Sequence, residues 1–249
     1  MTTLVVGATG ATGRLLVDRL LSRGEPVRAL VRGTHTSAGE RADLPPELRP
    51  REGLELVRGT VLDMDEAERL DLVRDCDAIC SCLGHNLSFR GMWLPPWRLV
   101  TKTLRALCAA ATELDGDRHV RVVLMSSSGV RDRELHEPVS PAQHAVLWLL
   151  RLFVPPHPDN ERAADHLRLL VGRDHPRLEW CAVRPDGLVD AEELAPYELH
   201  PSPIRSAIFD AGRVARVQVA DLMARLVTED ELWDAWQARM PVVYDAAEG

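Results

Sequence analysis

LVVGATGATGRLLVDRLL, residues 4–21, is the stretch that decides the fold. The apolar run over 3–6 reads as a buried strand, and Leu16, Val17, Leu20 and Leu21 recur at helical spacing, so a helix is expected over 11–22, with Gly24 as its stop signal. Between them GATGATG (7–13) sets Gly7, Gly10 and Gly13 in a G-x-x-G-x-x-G spacing. Glycine allows a tight turn and close approach of the backbone to a phosphate, whose charge meets the free N–H groups and the positive dipole end of the helix. The hydroxyls of Thr9 and Thr12 stand in the same turn.

Working outward, strands are expected over 26–31, 54–57, 77–83, 119–125, 178–183 and 241–244. Helices are expected over 65–75, 99–114, 141–153, 159–171 and 219–227. This alternation implies βαβ units and a parallel sheet. The expected fold is a single α/β domain over 1–249, of the Rossmann type. It is a doubly wound, mainly parallel sheet with helices on both faces, and the irregular stretch 185–212 forms a small C-terminal cap on the substrate side.

Composition narrows the partners. With 45% hydrophobic residues and only 4% aromatics, the core must be built from Leu, Val and Ala, as is usual for helices packed on a parallel sheet. The net charge of −8 and the lack of a basic stripe interleaved with aromatics argue against nucleic acid. No apolar run reaches membrane-spanning length, so no membrane partner is expected. Cys76, Cys80, Cys82, Cys108 and Cys181 lie in apolar segments and are odd in number, which fits reduced thiols in a cytoplasmic protein better than disulfides. Cys80 and Cys82 share a strand face, but no second Cys/His pair has metal-ligand spacing, so no metal is expected.

A glycine turn between strand and helix at the start of an alternating chain points to a dinucleotide site. In such folds an acid roughly 20 residues beyond the turn holds the ribose of NAD, whereas an arginine accommodates the 2′-phosphate of NADP. Here the second strand ends VRALVRG, with Arg32 in that place, so NADP(H) is expected in preference to NAD(H).

The sequence resembles the atypical short-chain dehydrogenase/reductase family, in particular its NAD(P)H-binding, NmrA-like and biliverdin-IXβ-reductase-like members. The resemblance rests on LVVGATGATG (4–13), VRALVR (27–32), VRGTVLD (57–63), VVLMSSSGV (122–130) and WCAVRPDGLVD (180–190), in family order. It implies that Gly7, Thr9, Gly10, Ala11, Thr12 and Gly13 wrap the pyrophosphate and that Arg32 meets the 2′-phosphate. Thr60 and Val61 would border the adenine, Cys82, Leu83 and Gly84 the nicotinamide ribose, and Arg184 with Pro185 the carboxamide. The family more often carries aspartate where Thr60 stands. Asp63 matches its second acidic position and reads as a helix cap.

Typical members of the family reduce a carbonyl with a tyrosine, a lysine four residues later and a serine at the end of the fifth strand. This chain has only Tyr197 and Tyr244, neither followed by such a lysine, and Lys102 is its only lysine. That argues against a conventional alcohol dehydrogenase or sugar-nucleotide epimerase. Hydride transfer itself needs no protein acid, because the nicotinamide supplies the chemistry. Ser126 and Ser127 are the candidates for orienting an acceptor, with a role at the cofactor ribose or a structural one as the alternative. His144 lies where a tyrosine would be sought and has a suitable ordinary pKa, about 6.5. His136 and His157 flank it, and for all three a plain structural role is the competing explanation. Trp93 and Trp97 either cover an acceptor pocket or pin a loop. The expectation is an NADP-dependent oxidoreductase acting on a small conjugated or carbonyl-containing molecule. The alternative is a non-catalytic NADP(H)-binding sensor or scaffold with a protein partner.

Overall fold

The computed structural model describes residues 1–32, 44–84, 98–114, 116, 118–135, 137, 156–206 and 209–248. Ten strands are described: β1 Thr2–Val6, β2 Val27–Val31, β3 Leu54–Arg58, β4 Cys76–Ser81, β5 Val120–Met125, β6 Leu178–Pro185, β7 Gly187–Val189, β8 Tyr197–His200, β9 Arg213–Ala215 and β10 Val242–Asp245. The described α-helices are α1 Ala11–Ser22, α2 Glu66–Val73, α3 Leu99–Glu113, α4 Pro156–Asp165, α5 Arg216–Thr228 and α6 Asp230–Trp236.

Eight strands form one sheet in the order β3-β2-β1-β4-β5-β6-β10-β8. All neighbours run parallel except β8, which joins β10 antiparallel at the edge. The strand order runs outward in both directions from β1 and β4, so the crevice beyond the C-terminal ends of these two strands is the switch point where open α/β sheets take their ligands.

Alternation along the strands divides the core. Leu4, Val6, Ile79, Val122 and Leu124 pack with Leu72 of α2 and Val100, Leu104 and Leu107 of α3. Val5, Ala29 and Val123 face the other way, onto Leu16, Val17 and Leu20 of α1 and Leu222, Met223 and Leu226 of α5. Helix α1, with Gly10 as its N-cap, has no side-chain cap and no acid in its first turn, a deficit of about a few tenths of a kcal/mol. Its three fully buried side chains outweigh that, at about 1.5–3 kcal/mol each. The sheet therefore holds the helix while its N-terminus stays open.

The C-terminal third differs from the sequence expectation. The stretch 186–206, expected as loop and cap, contains β7 and β8; β7 pairs with β9 in a separate two-stranded sheet, and β8 extends the main sheet. These strands are three or four residues long, too short to show a period. The helix expected over 159–171 starts at Pro156 and gives way to a π-helical turn over His166–Val171. Helix α6 and strand β9 had not been expected, and the helix expected over 141–153 lies outside the described residues.

Candidate functional site

The glycine turn is shaped by what surrounds each glycine. Gly7, at the end of β1, has φ +77°, and a Cβ there would lie 2.7 Å from the carbonyl carbon and oxygen of Cys82. The turn closes through the amide of Gly10, which donates to the Gly7 carbonyl at 2.9 Å, and α1 then begins with the Arg14 amide donating to Gly10. A Cβ on Gly13 would stand 2.2 Å from the Gly7 oxygen. Thr9, Gly10 and Ala11 are exposed, whereas Ala8, Thr12 and Gly13 are buried.

Helix α1 differs from α2 and α3 in how its N-terminus is finished. Asp65 and Glu68 close α2 with reciprocal 2.8 Å hydrogen bonds. The start of α3 is closed by a residue of α4: the carboxylate of Asp159 receives the amides of Val100 and Thr101 at 2.8 and 3.1 Å, and the Thr101 hydroxyl at 2.6 Å. No carboxylate fills the first turn of α1. Its uncapped amides and positive dipole end face the switch point, which is where a pyrophosphate fits.

Arg32 follows β2 and is exposed. Among the described residues it has no hydrogen bond or ion pair. Arg14, by contrast, pairs with Glu47 at 2.9 Å, and Arg28 is held by Glu55 and the carbonyls of Leu72 and Arg74. The Thr60 hydroxyl donates to the carboxylate of Asp63. Asp63 therefore stays in the turn after β3, and the cap of α2 expected from it is made by Asp65. Val61 is buried, with its carbonyl taken by Arg69 at 3.1 Å.

The strip Cys82, Leu83, Gly84 runs beside the glycine turn, with the Cys82 amide donating to the Val6 carbonyl at 2.9 Å. The Cys82 thiol points inward, 3.8 Å from the sulfur of Met223, and burial pushes its pKa up to about 12. All five thiols are buried and unpaired. Among the described residues no group of His, Cys, Asp and Glu is placed to hold a metal ion.

At the end of β5, the Ser126 amide donates to Val183 at 2.7 Å. The Ser126 hydroxyl is buried with no partner among the described residues. The Ser127 hydroxyl accepts from the Gly129 amide at 3.3 Å. Ser128, which the sequence reading passed over, donates to Asp186 at 2.8 Å, and the other oxygen of Asp186 takes the Gly212 amide at 2.9 Å. This clasp joins the ends of β5 and β6 to the segment before β9. The SSS (126–128) and RPD (184–186) runs, far apart in the sequence, were its only trace there.

Arg184 is fully buried. Its guanidinium donates to Met240, Val130 and Pro201 carbonyls at 2.6, 3.0 and 3.0 Å and pairs with Glu137 at 2.8 Å. The arginine implied by resemblance to lie beside a carboxamide therefore turns its charge into the protein, binding β6 to the loop after β5 and the approach to β10. Pro185 accepts the Ser128 amide at 2.9 Å.

His144, His136, Trp93 and Trp97 lie outside the described residues, and His157 falls in α4. Tyr197 is half-buried on β8, hydrogen-bonded to Asp221 and Arg225 at 3.0 and 3.1 Å. Burial pushes its hydroxyl up to about 12. Tyr244 packs against Gly212 and lies edge-on to His200. Lys102 is exposed on α3. Among the described residues, then, the site combines an anion-binding backbone, an exposed arginine and a buried unpartnered serine.

Comparison with known proteins agrees with this geometry. Similar solved structures include a proposed NAD-dependent epimerase/dehydratase from Bacillus halodurans, with TM-score 0.66 and 20% identity over 99% of this chain and 94% of that one. A short-chain dehydrogenase/reductase from Veillonella parvula, in complex with NADP, gives TM-score 0.65 and 15% identity over 99% and 95% of the two chains. A proposed NADH-flavin reductase from Streptococcus pneumoniae gives 0.64 and 16% over 98% and 99%. No curated protein matches the sequence. The family model for NAD(P)H-binding proteins matches residues 7–230, and the chain belongs to this NAD(P)H-binding family.

Proposed function

We propose that the protein is an NADP(H)-dependent oxidoreductase that passes hydride to a small conjugated or carbonyl-containing acceptor. The observation that carries this reading is the uncapped N-terminus of α1 over the Gly7–Gly13 turn, beside a β2 that is followed by Arg32 rather than an acid. When bound, the cofactor supplies hydride from its nicotinamide. The backbone of 7–13 holds the pyrophosphate, and Arg32 pairs with the 2′-phosphate. Thr60 and Val61 flank the adenine, and Cys82, Leu83 and Gly84 offer backbone beside the nicotinamide ribose. The unpartnered hydroxyl of Ser126 orients the acceptor, since a buried hydroxyl gains most from a ligand that completes its hydrogen bonding. The proton comes from solvent in this reading, and His144 is the side chain to test as its alternative source. The buried thiols support a reducing, cytoplasmic setting.

A second reading is supported by the lack of any Tyr-x-x-x-Lys pair in the chain: a protein that binds NADP(H) without turnover and signals its redox state to a protein partner, as NmrA-like regulators do. One titration separates the two. Tryptophan fluorescence is followed with NADPH and NADH, and nicotinamide absorbance is then followed after adding quinones, flavins and conjugated carbonyls. Oxidation of NADPH that is lost in Gly10→Asp supports the reductase. Tight NADPH binding without oxidation supports the sensor, and absence of binding to either nucleotide overturns both.

A further inference from the structure

We propose that Asp186 is a positioning residue for the acceptor end of the site: through Ser128 it fixes the segment that carries Ser126. This rests on the oxidoreductase reading above, in which the Ser126 hydroxyl orients the acceptor. Beyond β5 the chain does not leave the sheet at once. The Ser126 amide donates to the Val183 carbonyl at 2.7 Å and the Ser128 amide to that of Pro185 at 2.9 Å, so the pairing of β5 with β6 continues past Met125. Side chains at the end of β6 and just beyond it then take hold of the same segment. Asp186 accepts the Ser128 hydroxyl at 2.8 Å, and Arg184 donates to the Val130 carbonyl at 3.0 Å. Four links from 183–186 thus bracket residues 126–130 at the C-terminal edge of the sheet, where the ligand crevice lies.

Asp186 can do this because it is itself held. Its second oxygen accepts the Gly212 amide at 2.9 Å, and the Gly187 amide donates to the Gly212 carbonyl at 3.0 Å. Gly212 is closely packed: a Cβ on it would stand 2.7 Å from the Tyr244 ring, and one on Gly187 would stand 2.8 Å from the Gly212 oxygen. Ser128 and Asp186 are both buried, where a carboxylate is costly unless it is hydrogen-bonded. Apolar side chains would fill this interior without that penalty, but their contacts have no direction, whereas a carboxylate fixed at one oxygen offers the other in a single place. Ser126 stands two residues from Ser128, on backbone whose position the clasp sets. A group that orients a substrate needs such support, because a displacement of about 1 Å can lower a rate by about a hundredfold.

The test is a steady-state comparison of Ser128→Ala, Asp186→Ala and Asp186→Asn, each alone and combined with Ser126→Ala, using NADPH and the best acceptor among quinones, flavins and conjugated carbonyls. Thermal melts confirm that each variant is folded, and Ser128→Ala, the smallest change, carries the test if Asp186→Ala does not fold. Ser128→Ala and Asp186→Ala are expected to lower kcat about tenfold while the Kd for NADPH, read by tryptophan fluorescence, stays within about twofold. Asp186→Asn should recover most of the rate, since its amide oxygen can accept from Gly212 and its NH2 can donate to the Ser128 hydroxyl, which also accepts. With Ser126 already replaced by alanine, the further loss from Ser128→Ala should shrink to less than about twofold, because a residue that acts through Ser126 has nothing left to position. An unchanged kcat, the same fold-loss with and without Ser126, or a loss of NADPH binding in step with kcat overturns the role of Asp186 while leaving the oxidoreductase reading intact. A wild type that binds NADPH and oxidises it with no acceptor overturns both.

Discussion

Gly13 lies so close over the carbonyl of Gly7 that a Cβ on it would stand 2.2 Å from that oxygen. The contact is backbone against backbone, so no side-chain rearrangement relieves it. Gly13→Ala is therefore expected to cost about 1–3 kcal/mol or more in a urea titration and to abolish nucleotide binding. Gly10, whose Cβ would meet the same oxygen at 3.1 Å, should tolerate alanine better. A Gly13→Ala variant as stable as wild type would show that the turn opens freely.

Asp159 closes a helix to which it does not belong, and its removal leaves the amides of Val100 and Thr101 without their acceptor. Asp159→Ala should destabilise the protein by about 2 kcal/mol, the upper end for lost caps, because this one is buried. Asp159→Asn keeps an acceptor and should recover part of the loss. Equal urea midpoints for the two variants would argue against capping as the role of this carboxylate.

The Arg184–Glu137 pair is buried at both ends. Glu137→Ala leaves a guanidinium charge uncompensated in the interior and should cost about 3–5 kcal/mol. Replacing both partners, Arg184→Met with Glu137→Leu, removes the buried charge as well and should cost less than the sum of the single changes. Additivity in that double-mutant cycle would mean the two groups do not act as a pair.

Alkaline pH tests the buried thiols. Burial raises Cys76 to about 11 and Cys82 and Cys108 to about 12, whereas unfolded thiols ionise near 8.5. The stabilising contribution is fully present below that pH and is lost as pH rises toward the folded values, because the unfolded chain releases protons the native state keeps. Stability should fall by about 1.4 kcal/mol per pH unit for each such thiol. Urea midpoints between pH 8 and 10.5 would measure the slope, and Cys108→Ala should make it shallower by one thiol's share. A slope unchanged by that substitution would assign the alkaline loss to other groups.

The sequence by itself determined the alternating α/β chain, the glycine turn and the arginine at the end of β2. Each rests on local physics: apolar periodicity, the conformational freedom of glycine and a fixed distance along a βαβ unit. Leu16, Val17 and Leu20 announce their helix because burial repeats every turn, while β7, β8 and β9 are too short to carry a period. What only the tertiary structure decided is how polar groups distant in sequence are used. Arg184 reads as a ligand-facing residue until its partners Glu137, Val130, Pro201 and Met240 converge on it. Asp159 has no local sign of capping α3, whose first turn it reaches from another helix. A side chain's charge is written in the sequence, but whether that charge meets a carbonyl, a carboxylate or open solvent depends on segments that the fold alone brings together.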